Sequence, residues 1–235
     1  MMSHKKIHRF LVEDIPSASI GTTITLNNDR IAKQINRVLK IRPGEEIQVF
    51  ADSSDTYIGT ITHTTDFTVA LTITAIIPLV LPTRVVIAAI SIVKGDAFEM
   101  MVQKLTEIGV NTIVPLISGR TIKQNIRINR LQTISDEAVE QCGATQRVTI
   151  TEPMTLKECF TAFPFESVVL DPVTTNKTVS KMADKIVCYV GPEGGWDEKD
   201  EEIITGFNPT HLQITDRVLR TETAAILGVY SLLWQ

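Results

Sequence analysis

The chain has 235 residues, 43% of them hydrophobic and 21% charged, with a formal net charge of −4 at pH 7. That length predicts one or two domains and allows burial of roughly 70–75% of the unfolded surface, so no disulfide or metal staple is needed. The near-balanced charge by itself argues for neither nucleic acid nor membrane. Cys142, Cys159 and Cys188 form no C-x-x-C, which excludes a disulfide framework or zinc ribbon and fits a reducing, cytoplasmic setting.

The basic opening segment, with Lys5, Lys6 and Arg9, carries no apolar run, so no signal peptide is expected. Residues 1–42 hold eight Lys/Arg against three Asp/Glu, whereas residues 43–78 hold none against five. Residues 1–77 read as strands around one helix. Ile7–Val12 is a candidate strand. Asp29–Lys40 sets Ile31, Ile35, Val38 and Leu39 on one helical stripe after an Asn/Asp start signal. Pro43-Gly44 turns the chain, and Glu46–Ala51, Thr56–Thr62 and Phe67–Ile76 are β-rich runs separated by polar turns. Strands so spaced predict a small barrel. Pro78 and Pro82 mark a boundary, giving expected domains 1–77 and 78–235.

From Val85 strand and helix alternate. Val85–Ile92 is apolar but for Ser91, as in a buried parallel strand, and Val85–Val93, the longest such run, is too short to span a bilayer. Lys94-Gly95-Asp96 breaks the strand. Phe98, Met101, Val102, Leu105 and Ile108 then stripe a helix ending at Gly109. Thr112–Ile117 is the next strand, Arg130–Gln141 and Leu156–Phe163 are helices, and Glu166–Leu170 is a strand stopped by Asp171-Pro172. A second basic cluster, Arg120, Lys123, Arg127 and Arg130, has no acid among residues 118–130; such patches track a phosphate backbone or are simply solvated. The pattern predicts a parallel α/β domain.

The last fifty residues hold two strand-loop-helix units. Ile186–Val190 runs into Gly191-Pro192-Glu193-Gly194-Gly195, and His211–Thr215 runs through a polar loop to Arg220 and a helix opening at Thr221. Loops at the carboxyl ends of parallel strands are where α/β proteins hold small ligands. A lone Gly-rich loop is more often a plain turn, but the two together place Glu193, Arg217, Arg220 and Glu222 on loops or helix starts. No G-x-G-x-x-G follows a strand, and Walker A, H-E-x-x-H, G-x-S-x-G and the zinc-deaminase signature are all missing. His4, His8, His63 and His211 show no ligand spacing, so no metal site is expected.

Gly191–Gly195 together with Arg217-Val218-Leu219-Arg220-Thr221-Glu222-Thr223-Ala224 closely resembles the signature of the RsmE family, bacterial 16S rRNA uridine-N3 methyltransferases of the SPOUT superfamily. Residues 103–120 resemble that family's central helix, following strand and trailing arginine; Glu137–Gln141 matches another block, and His8-Arg9-Phe10 with Val38-Leu39-Lys40 resembles its N-terminal domain. The resemblance covers nearly the whole chain. It implies an RNA-binding PUA-like β-barrel, then a SPOUT domain with a deep trefoil knot, working as a homodimer on the small ribosomal subunit.

By the same resemblance S-adenosyl-L-methionine is the cofactor, held by Leu170, Gly191, Pro192, Gly194, Gly195, Ile214, Thr215, Val218 and Leu219. Arg220 is the catalytic cation, for a phosphate or for charge growing on uracil, and Glu193 or Glu222 takes a proton or orients it. Arg9, Arg30, Lys33, Arg37, Lys40 and Arg120 are the candidate RNA contacts; Arg120 and Gln141 are further candidates at the site, with a salt bridge and a helix-end hydrogen bond as the plain alternatives. The all-round apolar helix from Ala224 to Trp234 suits the core or a second subunit. The chain departs from the family pattern at Ile214-Thr215 (usually Leu-Gly), at Lys33-Gln34, at Lys40, and after Gln141. A SPOUT enzyme for another RNA, or an inactive RNA-binding relative, remains as an alternative.

Overall fold

A computed structural model describes residues 7–94, 96–121, 126–179 and 183–234; Gly95 of the expected strand break, Lys123 of the second basic cluster and the basic residues before Ile7 lie outside them. The chain divides into two compact units, residues 1–81 with 139–147, and residues 82–138 with 148–235.

The first unit is built on a five-stranded sheet of β1 (His8–Leu11), β2 (Thr23–Asn27), β3 (Glu46–Phe50), β4 (Thr56–Thr64) and β5 (Thr68–Ile77), in the order β1-β3-β4-β5-β2. β1 and β3 are parallel and the other pairs antiparallel. The sheet is thus mixed and follows an open path, where strand spacing suggested closure. The free edge at β1 is capped instead: Leu11 N–H donates to Glu140 Oε1 at 2.9 Å. The strand Thr23–Asn27 was not expected, because only Ile24 and Leu26 of its five residues face the core.

The expected helix from Asp29 is α1, α-helical over Asp29–Lys33 and a π-helix over Gln34–Leu39. Asn28 caps it, its side chain accepting Ile31 N–H. Lys40 N–H reaches back five residues to Ile35 O, and Lys40 itself is left-handed at φ 53°. The wider turn keeps Ile31 and Ile35 buried but swings Val38 outward to 73% exposure, so it leaves the predicted stripe.

The second unit carries β6 (Val85–Ser91), β7 (Thr112–Ile117), β8 (Thr149–Ile150), β9 (Met154–Thr155), β10 (Glu166–Leu170), β11 (Lys185–Val190) and β12 (Thr210–Leu212). They form one parallel sheet in the order β12-β10-β11-β6-β7-β8, with β9 also on β7. Side chains alternate across it. Val86, Ala88 and Ile90 of β6 join one core with α2 (Ala97–Ile108) and α6 (Thr221–Leu233), while Ile87 and Ala89 join another with α4 (Leu156–Ala162) and α5 (Glu198–Phe207). This two-sided burial is why β6 and β11 read as apolar runs rather than as alternation. α3 (Ile128–Cys142) lies between β7 and β8 in the chain. Gly109 ends α2 at φ 98°, a conformation that favours glycine. Among the described residues no helix is long and apolar enough to cross a membrane.

Candidate functional site

β10 and β12 are neighbours in register, Leu170 opposite Leu212, and both release their chains at the carboxyl edge of the sheet. There lies a cavity lined by Leu170, Asp171, Pro172, Leu212, Ile214, Thr215, Arg217, Leu219 and Ala224. Its wall is mostly aliphatic, with one carboxylate, one guanidinium and one hydroxyl, the usual make-up of a small-molecule site. Of the residues expected to hold a cofactor, Leu170, Ile214, Thr215 and Leu219 meet at this cavity.

Thr221 is buried, and its hydroxyl donates to Gly191 O at 3.1 Å, joining the start of α6 to the loop after β11. Gly195 N–H donates to Pro192 O at 2.8 Å, closing a turn with Gly195 at φ 71°. Gly191 packs on Trp196, where a β-carbon would come within 3.1 Å of the indole. Gly194 O accepts from Arg120 Nη1. Gly191, Pro192, Gly194, Gly195 and Val218 are not among the residues lining the cavity, and Val218 is 85% exposed.

Arg220 is the N-cap residue of α6, its side chain 85% exposed and its Nη1 3.9 Å from Glu222 Oε1. Cation and carboxylate therefore sit together on the stretch between the lining residues Leu219 and Ala224, at a helix N-terminus that itself favours anions. Glu193 is exposed on the glycine loop. Asp171, Pro172, Leu212 and Ala224 were not singled out as cavity residues; the halt of a strand at Asp171-Pro172 was the signal available. Arg217, a loop cation in the sequence, also lines the cavity.

The candidate RNA contacts fall into three kinds. Arg30, Lys33, Arg37 and Lys40 share α1; Arg30 is 3.4 Å from Glu140, Lys33 2.8 Å from Asp29 and Arg37 2.6 Å from Asp66. The Lys33 and Arg37 pairs are exposed on both sides, and such pairs are worth about 0–1 kcal/mol and exchange readily for phosphate. Arg9 is otherwise engaged: its guanidinium lies 4.5 Å from the Phe50 ring centroid and donates to Ala144 O at 2.9 Å, and burial lowers its pKa. Arg120 is bound to the glycine loop, and Gln141 falls in the 139–147 segment that groups with the first unit.

A family model for an RNA methyltransferase domain matches residues 81–233. The ribosomal RNA small subunit methyltransferase E of Synechocystis sp. is 28% identical over 228 residues, covering 91% of this chain and 74% of that protein. The crystal structure of a ribosomal RNA small subunit methyltransferase E from Neisseria gonorrhoeae, bound to S-adenosyl methionine, superposes with a TM-score of 0.86 at 27% identity, covering 96% of both chains. A Legionella pneumophila methyltransferase structure with bound cofactor SAM shares the fold at a TM-score of 0.84 and 24% identity, covering 97% of both chains. With the strand-end cavity and the two C-terminal motifs in place, the chain belongs to the RNA methyltransferase family, in its small-subunit rRNA methyltransferase E group.

Proposed function

We propose that this chain is an S-adenosylmethionine-dependent enzyme that methylates uracil N3 in 16S rRNA of the small ribosomal subunit, working in the cytoplasm as a homodimer. The observation that carries the reading is the cavity between the ends of β10 and β12 with Arg220 and Glu222 at its side. Its residues suit the cofactor. Leu170, Leu212, Ile214, Leu219 and Ala224 offer an apolar slot for a purine, while Asp171, Thr215 and Arg217 offer partners for hydroxyl, ammonium and carboxylate groups.

S-adenosylmethionine, when bound, supplies a methyl group already activated on a sulfonium. The chain's own residues position and neutralise. Arg220, solvated and at the positive end of α6, holds a phosphate or stabilises the charge that uracil gains as N3 loses its proton. Glu222 either fixes the guanidinium or accepts that proton, with Glu193 as the other candidate base. Thr221, tied to Gly191, keeps the two loops together while this happens. The glycine loop and Val218 would complete the hold on the cofactor.

The first unit acts as a PUA-like RNA-binding module, its α1 cations, with Arg9 shaping the sheet edge, gripping the backbone while the target base is splayed out; Arg120 contributes from the second unit. The closing strands thread as a trefoil knot, a reading supported by β12 pairing with β10 rather than continuing outward from β11. Leu227 and Tyr230, exposed on α6, with Trp234 just after its end, are the apolar face for a second copy.

Purified chain with labelled S-adenosylmethionine should methylate small subunits lacking the modification, and nucleoside mass spectrometry should find 3-methyluridine in their 16S rRNA. Label appearing only in tRNA or on ribose would overturn the substrate, and no cofactor binding would favour an inactive RNA-binding relative.

A further inference from the structure

The β10–β12 pairing does not stop where the strands stop. Asp171 N–H donates to Leu212 O at 3.0 Å, and Gln213 N–H to Asn176 O at 2.7 Å. Asn176 Nδ2 donates to His211 O at 3.0 Å and Gln213 Nε2 to Pro172 O at 2.9 Å. Lys177 Nζ and Asp216 Oδ1, 2.6 Å apart, close the far end. At the centre of this seam His211 Nδ1 lies 3.0 Å from Asp171 Oδ2, while Asp171 Oδ1 accepts Val173 N–H at 2.8 Å.

The same two segments both line the cavity, Asp171 and Pro172 from one and Leu212, Ile214 and Thr215 from the other. β12 is a three-residue strand at the sheet edge, with β10 its single strand partner among the described residues. Main-chain pairing alone is therefore a weak hold on the loop that follows it, and side-chain links carry the wall. Ionised Asp171 can only accept hydrogen bonds, so the imidazole presents Nδ1–H to it. A bond to a charged acceptor is about twice as strong as a neutral one. Without it Asp171 keeps only the Val173 amide, within its own turn, and nothing on its side chain crosses to β12.

We infer that His211 is a positioning residue for the cofactor pocket: through Asp171 it sets the Asp171-Pro172 corner against the 212–219 loop at the separation the methyl donor requires. This rests on the reading that the cavity holds S-adenosylmethionine. It gives His211, which neither lines the cavity nor belongs to either C-terminal motif, a share in donor affinity.

The test is calorimetric titration of the full chain with S-adenosylmethionine, beside steady-state kinetics and thermal melting. His211→Val should raise the donor Kd and KM about tenfold, leaving kcat at saturating donor and the KM for the ribosomal subunit unchanged. His211→Asn, whose amide N–H replaces Nδ1–H, should bind within about threefold of wild type. His211→Leu, close in volume to the ring and unable to donate, should match the loss in His211→Val and keeps the test open if that variant melts early. Wild-type affinity in His211→Val or in His211→Leu overturns the inference, as does an equal loss in His211→Val and His211→Asn, which would trace the effect to ring packing. A wild-type chain that takes up no donor would overturn the proposed function and this inference with it.

Discussion

Gly228 of α6 and Leu170 at the end of β10 pack so closely that a β-carbon on the glycine would lie 2.3 Å from Leu170 Cδ1. Helix and strand approach this far only because position 228 has no side chain, and the contact sets where Leu170 enters the cavity. Gly228→Ala should push Leu170 inward, costing about 1–3 kcal/mol from overpacking. Urea unfolding reads the stability loss and calorimetry a weakened S-adenosylmethionine affinity; unchanged affinity would place the cofactor away from Leu170.

Arg220→Ala should leave cofactor binding intact and lower turnover about 10²–10³-fold, the range for removing one preorganised donor to developing charge. Its side chain is 85% exposed, so folding should be unaffected. An equal loss of donor affinity would assign Arg220 to the cofactor instead.

Thr221→Val removes the hydroxyl that ties α6 to the glycine loop and leaves Gly191 O without that donor. A buried acceptor stripped of its partner costs about 1–3 kcal/mol. Melting temperature should fall, and turnover should fall with it, because the loops bearing Glu193 and Arg220 are no longer joined. Thr221→Ser, which keeps the hydroxyl, should restore most of both.

Burial pushes the thiol pKa of Cys188 up to about 12 and that of Cys159 up to about 11, because desolvation disfavours the thiolate. Both stay protonated well above neutral pH, whereas Cys142 is exposed. A thiol reagent at pH 8 should titrate one fast cysteine per native chain and three after denaturation. Peptide mapping should place the fast label on Cys142, and a second fast site would show that a core opens.

The reach of the sequence is clearest in the second unit. Thr112–Ile117 and Glu166–Leu170 lie where hydrophobic pattern puts them, and the helix after Val85–Ser91 ends at Gly109 as expected. These elements are set by short-range causes, a run of β-branched residues or a left-handed glycine cap. Arg9 shows the opposite case. Its guanidinium meets Phe50 and the carbonyl of Ala144, a partner more than a hundred residues away. Local pattern carries no trace of such a contact.

The sequence by itself determined the alternation that builds a two-faced parallel sheet, the two loops that close it, and the family whose motifs they carry. Each is written in neighbouring residues, through periodicity, turn chemistry and motif order. Only the tertiary structure decided that the first sheet stays open, that residues 139–147 complete its unit, and that Asp171 and His211 meet beside a cavity whose lining leaves out the glycine loop. Those outcomes depend on groups distant along the chain, and what brings them together is the packing of whole layers, which no local window contains.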